Sequence, residues 1–351
     1  MNFEFESSFH DSMEGFYAPA QAAKPSAPKL LIFNKSLAER LGIARAGTSD
    51  KQLARLLSGD QTPHGANLIA LAYSGHQFGH FSPQLGDGRA LLLGEKVAPH
   101  GARFDIQLKG SGPTAFSRNG DGKAAIGPVL REYLVSEAMA AIGVPTTRSL
   151  AAVVTGDRVQ REQSHPGAVL TRVASSHIRV GTFQFFAAHF GVEHVTQLSN
   201  YTINRHFSDL AEATNPHLAL LDRVIGLQCE LVARWMGVGF IHGVMNTDNV
   251  AVSGETLDYG PCAFMDRFAV NTVFSSIDAN GRYAYGRQPQ ITHWNMARFA
   301  EAMLPAIHAV HPADVDAAKA LVDAIPARFR AIWLGEMRTK LGLGRPHKAD
   351  D

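Results

Sequence analysis

Short apolar runs dominate the first half of the chain. Residues 90–93 and 103–108 are apolar-rich stretches flanking a connector that holds Pro99 and Gly101, which predicts an antiparallel pair. Residues 150–154 and 158–162, joined through Gly156-Asp157, predict two more strands, and residues 168–173 a further one. Between these the period changes. Leu130, Leu134, Ala138 and Ala141 form one stripe at helical spacing, Pro128 suits the first turn, and Gly143 with Pro145 stops the pattern, so a helix is expected over residues 129–142. Glu132 shares a face of that helix with Val135 and Met139, so it should be partly buried and require a cationic partner. Upstream, the alanine- and proline-rich residues 18–28 predict an extended arm before a first helix around 35–41. Beyond Gly181 the pattern is mainly helical, with a long apolar helix over about 218–236 ending near Gly237.

Composition narrows the class without naming a chemistry. The 351 residues are 45% hydrophobic and 19% charged, enough to bury a large core in one two-lobed unit or two domains. A formal net charge of +1 provides no global basic field, so nucleic acid is not an expected partner. Neither Cys229 nor Cys262 sits in a CxxC or zinc spacing, and both are expected to fill core. Residues 1–11 are acidic and lack a long apolar run, which argues against a leader, and no stretch approaches the roughly 20 apolar residues of a membrane helix. A cytoplasmic protein without membrane partners is the expectation.

Chemistry-bearing residues follow in a definite order. The turn Gly86-Asp87-Gly88-Arg89 would let backbone approach phosphates and add a guanidinium contact, although a plain hairpin turn uses the same residues. Lys109 ends a strand and Glu132 lies on the following helix, where kinase-like enzymes place a phosphate-gripping lysine and its glutamate. After the long helix come Asp248 and Asn249 in a polar loop, then Asp258 heading an Asp-Tyr-Gly triplet similar to the Asp-Phe-Gly metal motif. An amide oxygen from Asn249 and a carboxylate from Asp258 suit Mg²⁺, leaving Asp248 to orient and deprotonate a hydroxyl. Asp248 or Asn249 alone would read as a turn former; with Asp258 the set reads as a site. Arg172 and Arg179 are further candidates for phosphate charge, though two arginines in one short segment usually face solvent.

The order implies an α+β, protein-kinase-like two-lobed fold. Residues 1–60 would form an arm and helices, 61–180 an N-lobe of antiparallel sheet plus helix with the nucleotide-binding loops, and 181–351 a mainly helical C-lobe with the metal and catalytic loops. Rival motifs fail. Gly122-Lys123 lacks the earlier glycine and the following hydroxyl of a Walker loop, and no glutamate lies between His76 and His80 for a zinc protease. Gly110-Ser111-Gly112-Pro113-Thr114-Ala115 superficially fits a dinucleotide fingerprint, but that reading requires βαβ repeats where hairpins are expected.

These residues also carry a resemblance. The blocks from Tyr73 to Gly79, Gln84 to Ala90, Leu108 to Gly112, His242 to Asn249 and Asp258 to Pro261 closely resemble the selenoprotein O family of protein adenylyltransferases, once regarded as pseudokinases. The resemblance runs from the arm to about Trp294-Asn295-Met296-Ala297-Arg298. It implies ATP bound flipped relative to ordinary kinases, with AMP passing to serine, threonine or tyrosine hydroxyls of protein substrates and pyrophosphate leaving. UTP would be a second donor. It further implies nucleotide contacts from Gly86, Gly88, Arg89, Lys109, Asp121, Gly122, Arg172, Arg179 and Asp258, a Lys109–Glu132 pair, Mg²⁺ or Mn²⁺ on Asn249 and Asp258, and Asp248 as proton acceptor. Family members usually continue further, often with a redox-active cysteine or selenocysteine near the end, whereas this sequence ends at Asp351 without either. The alternatives are accordingly a non-catalytic ATP-binding regulator, then an NAD-dependent oxidoreductase or an ordinary phosphotransferase.

Overall fold

In a computed structural model of the chain, which describes residues 3–45 and 47–344, the first expected pairing is present and longer than the apolar runs alone: Ala90–Val97 lies antiparallel to Arg103–Lys109. Residues 1–2, 46 and 345–351, at the ends of the expected arm and C-lobe and within the arm, lie outside the described residues. The described chain divides into two units, residues 3–73 with 84–177 and residues 74–83 with 178–344. Residues 74–83 therefore belong to the second unit although their sequence neighbours on both sides belong to the first.

The first unit is built on one sheet, ordered Tyr17–Pro19, Ile69–Leu71, Ala90–Val97, Arg103–Lys109, Ser164–Ala174, Arg148–Gln160, Lys29–Phe33, with the short Ala124–Ala125 also against Ser164–Ala174. Every pairing in it is antiparallel, which removes the parallel crossovers that dinucleotide binding would need. Successive residues of a strand face opposite ways, and both faces are covered. Val169 packs in a cluster with Leu53 and Leu57 of the helix Asp50–Ser58, while its neighbours Ala168 and Leu170 pack with Val129 and Tyr133 of the helix Ile126–Ala141.

Two expectations change here. Residues 150–154 and 158–162 are not two strands around a turn. Arg148–Gln160 is one strand, and Gly156-Asp157 forms a bulge where the register against Ser164–Ala174 shifts. The expected helix stripe is also displaced. Val129, Glu132, Tyr133, Ser136 and Met139 are buried, whereas Leu134 is 62% exposed, with Ala138 and Ala141 also outside. The helix is turned so that Glu132 faces the sheet, because two cations wait there for its carboxylate.

The second unit is mainly helical: Val180–His189, Val192–His206, Pro216–Gly237, Gln288–Val310, Asp314–Asp323 and Ile325–Lys340. The long helix expected over 218–236 is Pro216–Gly237; Asn215 caps it by accepting from the Leu218 N–H at 3.2 Å. It packs on Gln288–Val310 and Ile325–Lys340 and delivers the chain into a two-strand ribbon, Phe240–Ile241 with Ala263–Phe264. Between these ribbon strands lie the candidate catalytic and metal residues. Cys229 fills core as expected and burial pushes its thiol up to about 11, but Cys262 is only half-buried. No helix among the described residues is long and apolar enough to cross a membrane.

Candidate active site

In the first unit, sheet register assembles the charged groups. Gln107 stands directly opposite Arg172, and Lys109 opposite Leu170, so these four side chains share the face that Ile126–Ala141 covers. Lys109 Nζ lies 2.7 Å from Glu132 Oε2. The other oxygen, Oε1, accepts from Arg172 Nε at 2.8 Å and Nη2 at 2.5 Å, and Arg172 Nη1 donates to Gln107 Oε1 at 3.3 Å. Gln107 Nε2 donates in turn to Asp87 Oδ2 at 3.1 Å, which also accepts from the Leu71 N–H. A buried polar chain thus runs from the glycine turn through Gln107, Arg172 and Glu132 to Lys109.

The glycines of the turn have a structural reason of their own. At Gly86, where φ is +71°, an added Cβ would stand 2.2 Å from the Phe116 ring, and at Gly88 it would stand 2.7 Å from the Phe116 carbonyl. Thr114 Oγ1 donates to the Asp87 carbonyl and Ser117 Oγ to that of Gly88, so residues 114–117 are fastened over the turn. The exposed Arg89 makes no ion pair among the described residues. Asp121 is held by Arg161 through Nη1 at 2.9 Å and Nη2 at 3.0 Å, and that guanidinium keeps its carboxyl below the usual range. Gly122, at φ +63°, passes so close to Gly112 that a Cβ would overlap the Gly112 carbonyl at 2.0 Å.

In the second unit the turn Thr247–Asn249 carries Asp248 and Asn249. Burial pushes the Asp248 carboxyl up to about 6, against the downward pull of Gln77 and Arg179. Its Oδ2 accepts from Gln77 Nε2 at 3.2 Å, and its buried Oδ1 has no hydrogen-bond partner among the described residues. Asn249 Nδ2 donates to the Val244 carbonyl at 3.0 Å, leaving its oxygen as the ligand-capable atom. Asp258 sits at φ +65°, a left-handed conformation that costs about 1 kcal/mol or more outside glycine. Arg179 ties these pieces together: Nη1 donates to the Asp248 carbonyl at 2.8 Å and lies 3.7 Å from Asp258 Oδ2. His242 Nε2 lies 3.1 Å from the Leu257 carbonyl and its ring stacks on Trp235, bracing the residue before Asp258.

The structure therefore joins Lys109 with Glu132 as expected. It also places Arg172 on Glu132, and Arg179 on Asp248 and Asp258, each guanidinium buried and engaged by protein groups. Sequence reasoning assigned no role to Gln77, Gln107, Asn246, Thr247 or Tyr283, which hold these groups. The motif blocks containing Gln77 and Asn246-Thr247 were the available signals. No cluster of three or more His, Cys, Asp or Glu among the described residues forms a metal site by itself. The Asn249 and Asp258 oxygens nevertheless fit Mg²⁺ or Mn²⁺, hard ions that complete their shells with water and phosphate oxygens.

The sequence model of the family described as Protein adenylyltransferase SelO matches residues 1–350. Proteins named Protein nucleotidyltransferase YdiU are similar over nearly the whole chain. The one from Sphingopyxis alaskensis is 80% identical over 98% of this chain and 70% of its own length. That from Agrobacterium fabrum is 56% identical over 99% and 71%, and one from Cereibacter sphaeroides 57% over 100% and 73%. With an antiparallel sheet plus helix, a mainly helical second unit and these motifs in kinase-like order, the chain belongs to the SelO family of protein nucleotidyltransferases.

Proposed function

We propose that this enzyme transfers AMP from ATP to serine, threonine or tyrosine hydroxyls of protein substrates, with pyrophosphate leaving. The observation that carries this reading is the Asp248 turn. A buried carboxylate with one oxygen lacking a hydrogen-bond partner precedes Asn249, whose side-chain oxygen is ligand-capable, and Arg179 links its backbone to Asp258. A base whose pKa lies near neutrality is matched to taking a hydroxyl proton.

In the proposed reaction the acceptor oxygen attacks the α-phosphorus, the bond from that phosphorus to the β-bridging oxygen breaks, and the hydroxyl proton passes to Asp248. Asn249 and Asp258 would hold Mg²⁺ or Mn²⁺. When bound, the ion would offset negative charge on the phosphates. Lys109, oriented by Glu132, would grip phosphate oxygens. Gly86, Gly88, Arg89, Asp121 and Gly122 would line the nucleotide, and Arg172 and Arg179 would add positive potential for its distal phosphates. Orientation and fixed charge, with no covalent enzyme intermediate, then account for catalysis. UTP serves as a second donor in the same scheme.

The test is to incubate the protein with Mg²⁺ or Mn²⁺ and ATP labelled at either the α- or the γ-phosphate, with Asp258→Ala as control. Metal-dependent α-label on protein, absent from the control, is the expected result. Label only from the γ-position would make the enzyme an ordinary kinase, and ATP binding with neither label would make it a non-catalytic binder.

A further inference from the structure

The hairpin Gly75–Gln77 with His80–Ser82 belongs to the second unit, and its backbone and the Gln77 side chain hold the turn that carries Asp248. The His76 N–H donates to Thr247 Oγ1 at 2.7 Å, and Thr247 Oγ1 donates onward to Gln184 Oε1 at 2.6 Å. The Phe78 N–H donates to Asn246 Oδ1 at 3.2 Å, an oxygen that also accepts from the Tyr283 hydroxyl at 2.6 Å. Backbone on both sides of Gln77 is thereby fixed against the residues just before Asp248. Between these two anchors Gln77 Nε2 reaches Asp248 Oδ2 at 3.2 Å. Gly75 meets the other oxygen, since a Cβ added there would stand 2.3 Å from Asp248 Oδ1.

We infer that Gln77 is a positioning residue for Asp248: its amide sets the rotation of the carboxylate about the Cβ–Cγ bond, while Gly75 leaves room for the second oxygen. A carboxylate on a short side chain rotates freely unless one oxygen is held. With Oδ2 held by a donor that is itself anchored twice, the remaining lone pairs of Asp248 keep one direction. Misplacement of a reacting group by about 1 Å costs roughly 100-fold in rate, so this degree of freedom is worth controlling. Apart from its own backbone N–H, Gln77 is the donor that the Asp248 carboxylate meets among the described residues, because Arg179 bonds its backbone carbonyl.

The inference rests on the reading of Asp248 as proton acceptor, and the experiment separates the two. Gln77→Leu removes the donor at similar volume, and Gln77→Glu keeps the length but presents an acceptor to Asp248. Both are compared with wild type and Asp258→Ala for α-label transfer, for the KM of ATP and for thermal midpoint. The expected result is a kcat roughly 10- to 100-fold lower in each Gln77 variant, with KM for ATP within about 2-fold and the midpoint little changed. Wild-type kcat in Gln77→Leu, with transfer still lost in Asp258→Ala, would overturn the inference alone. Loss of kcat together with weaker ATP binding and a lower midpoint in both variants would reduce Gln77 to a support of the fold. No transfer by the wild type would overturn the underlying reading and this inference with it.

Discussion

Replacing Glu132 tests how the first unit reconciles a buried ion pair with a partly exposed lysine. The Glu132 side chain is 4% exposed and that of Arg172 2%, so both ions have lost nearly all their water, whereas Lys109 retains 19%. Taking two ions out of water costs several kcal/mol each, and mutual attraction offsets that only while both partners are present. In Glu132→Leu, Arg172 loses the bonds from Nε and Nη2, so the variant should be destabilised by about 3–5 kcal/mol. For a folding unit of this size that lowers the thermal midpoint on the order of 10 °C. Arg172→Met should be similarly harmful, because Glu132 then keeps only the partly exposed lysine among these two cations. The double variant Glu132→Leu with Arg172→Met replaces the ions by apolar groups of similar size and should recover most of the loss, since such exchanges are often neutral. Lys109, on a flexible stem, can turn its ammonium to water. Denaturant or thermal unfolding of the four proteins measures the coupling, expected at about 2 kcal/mol or more. ATP binding measured alongside should stay weak in the double variant, because stability returns without the carboxylate that orients Lys109. Additive destabilisation by the two single changes would refute the argument that the pair is held by mutual compensation.

Two further predictions follow from the same unit. Gly86→Ala should weaken both stability and ATP binding, and Phe116→Gly in that background should restore part of the stability, because the new Cβ would collide with the Phe116 ring at 2.2 Å and its Cβ at 2.7 Å; no recovery in thermal unfolding would mean that the +71° φ alone dictates glycine. At Glu137, burial pushes the carboxyl up, but Arg148, the Ser149 N–H and Asn34 together outweigh it and hold it below the usual range. A depressed folded value contributes stability that is present above the unfolded value of about 4.3 and is lost as pH falls through the folded one. Glu137→Gln should thus be less stable than wild type by about 1–2 kcal/mol at pH 7, with the gap closing below roughly pH 4; a gap that stays constant from pH 7 to 3 in urea unfolding would contradict this.

What the sequence made legible was whatever depends on spacing along one element or across one short turn. The strand pair around residues 90–109 and the long helix have that character. What it hid depends on register or on where a segment docks. Arg172 meets Glu132 because its strand places it opposite Gln107, a relation no local pattern carries. Gly156-Asp157 has the composition of a turn, yet flanking strand pairing continues past it and leaves a bulge. Gln77 lies in sequence among residues of the first unit and folds with the second, so its hydrogen bond to Asp248 joins positions 171 residues apart. The helix Ile126–Ala141 shows which signal deserved more weight. Its apolar positions fitted two faces, and the stripe through Leu134 gave way to the face containing Glu132. A leucine left in water forfeits about 1.5–3 kcal/mol, whereas a glutamate turned away from the buried Arg172 would remove the carboxylate that offsets its desolvation, at about 3–5 kcal/mol. The greater of these two penalties sets the rotation of the helix. In an amphipathic helix of this kind, an acidic residue flanked by apolar neighbours identifies the inward face more reliably than the longer apolar stripe does, and it points at once to the cations that meet it, Arg172 and Lys109.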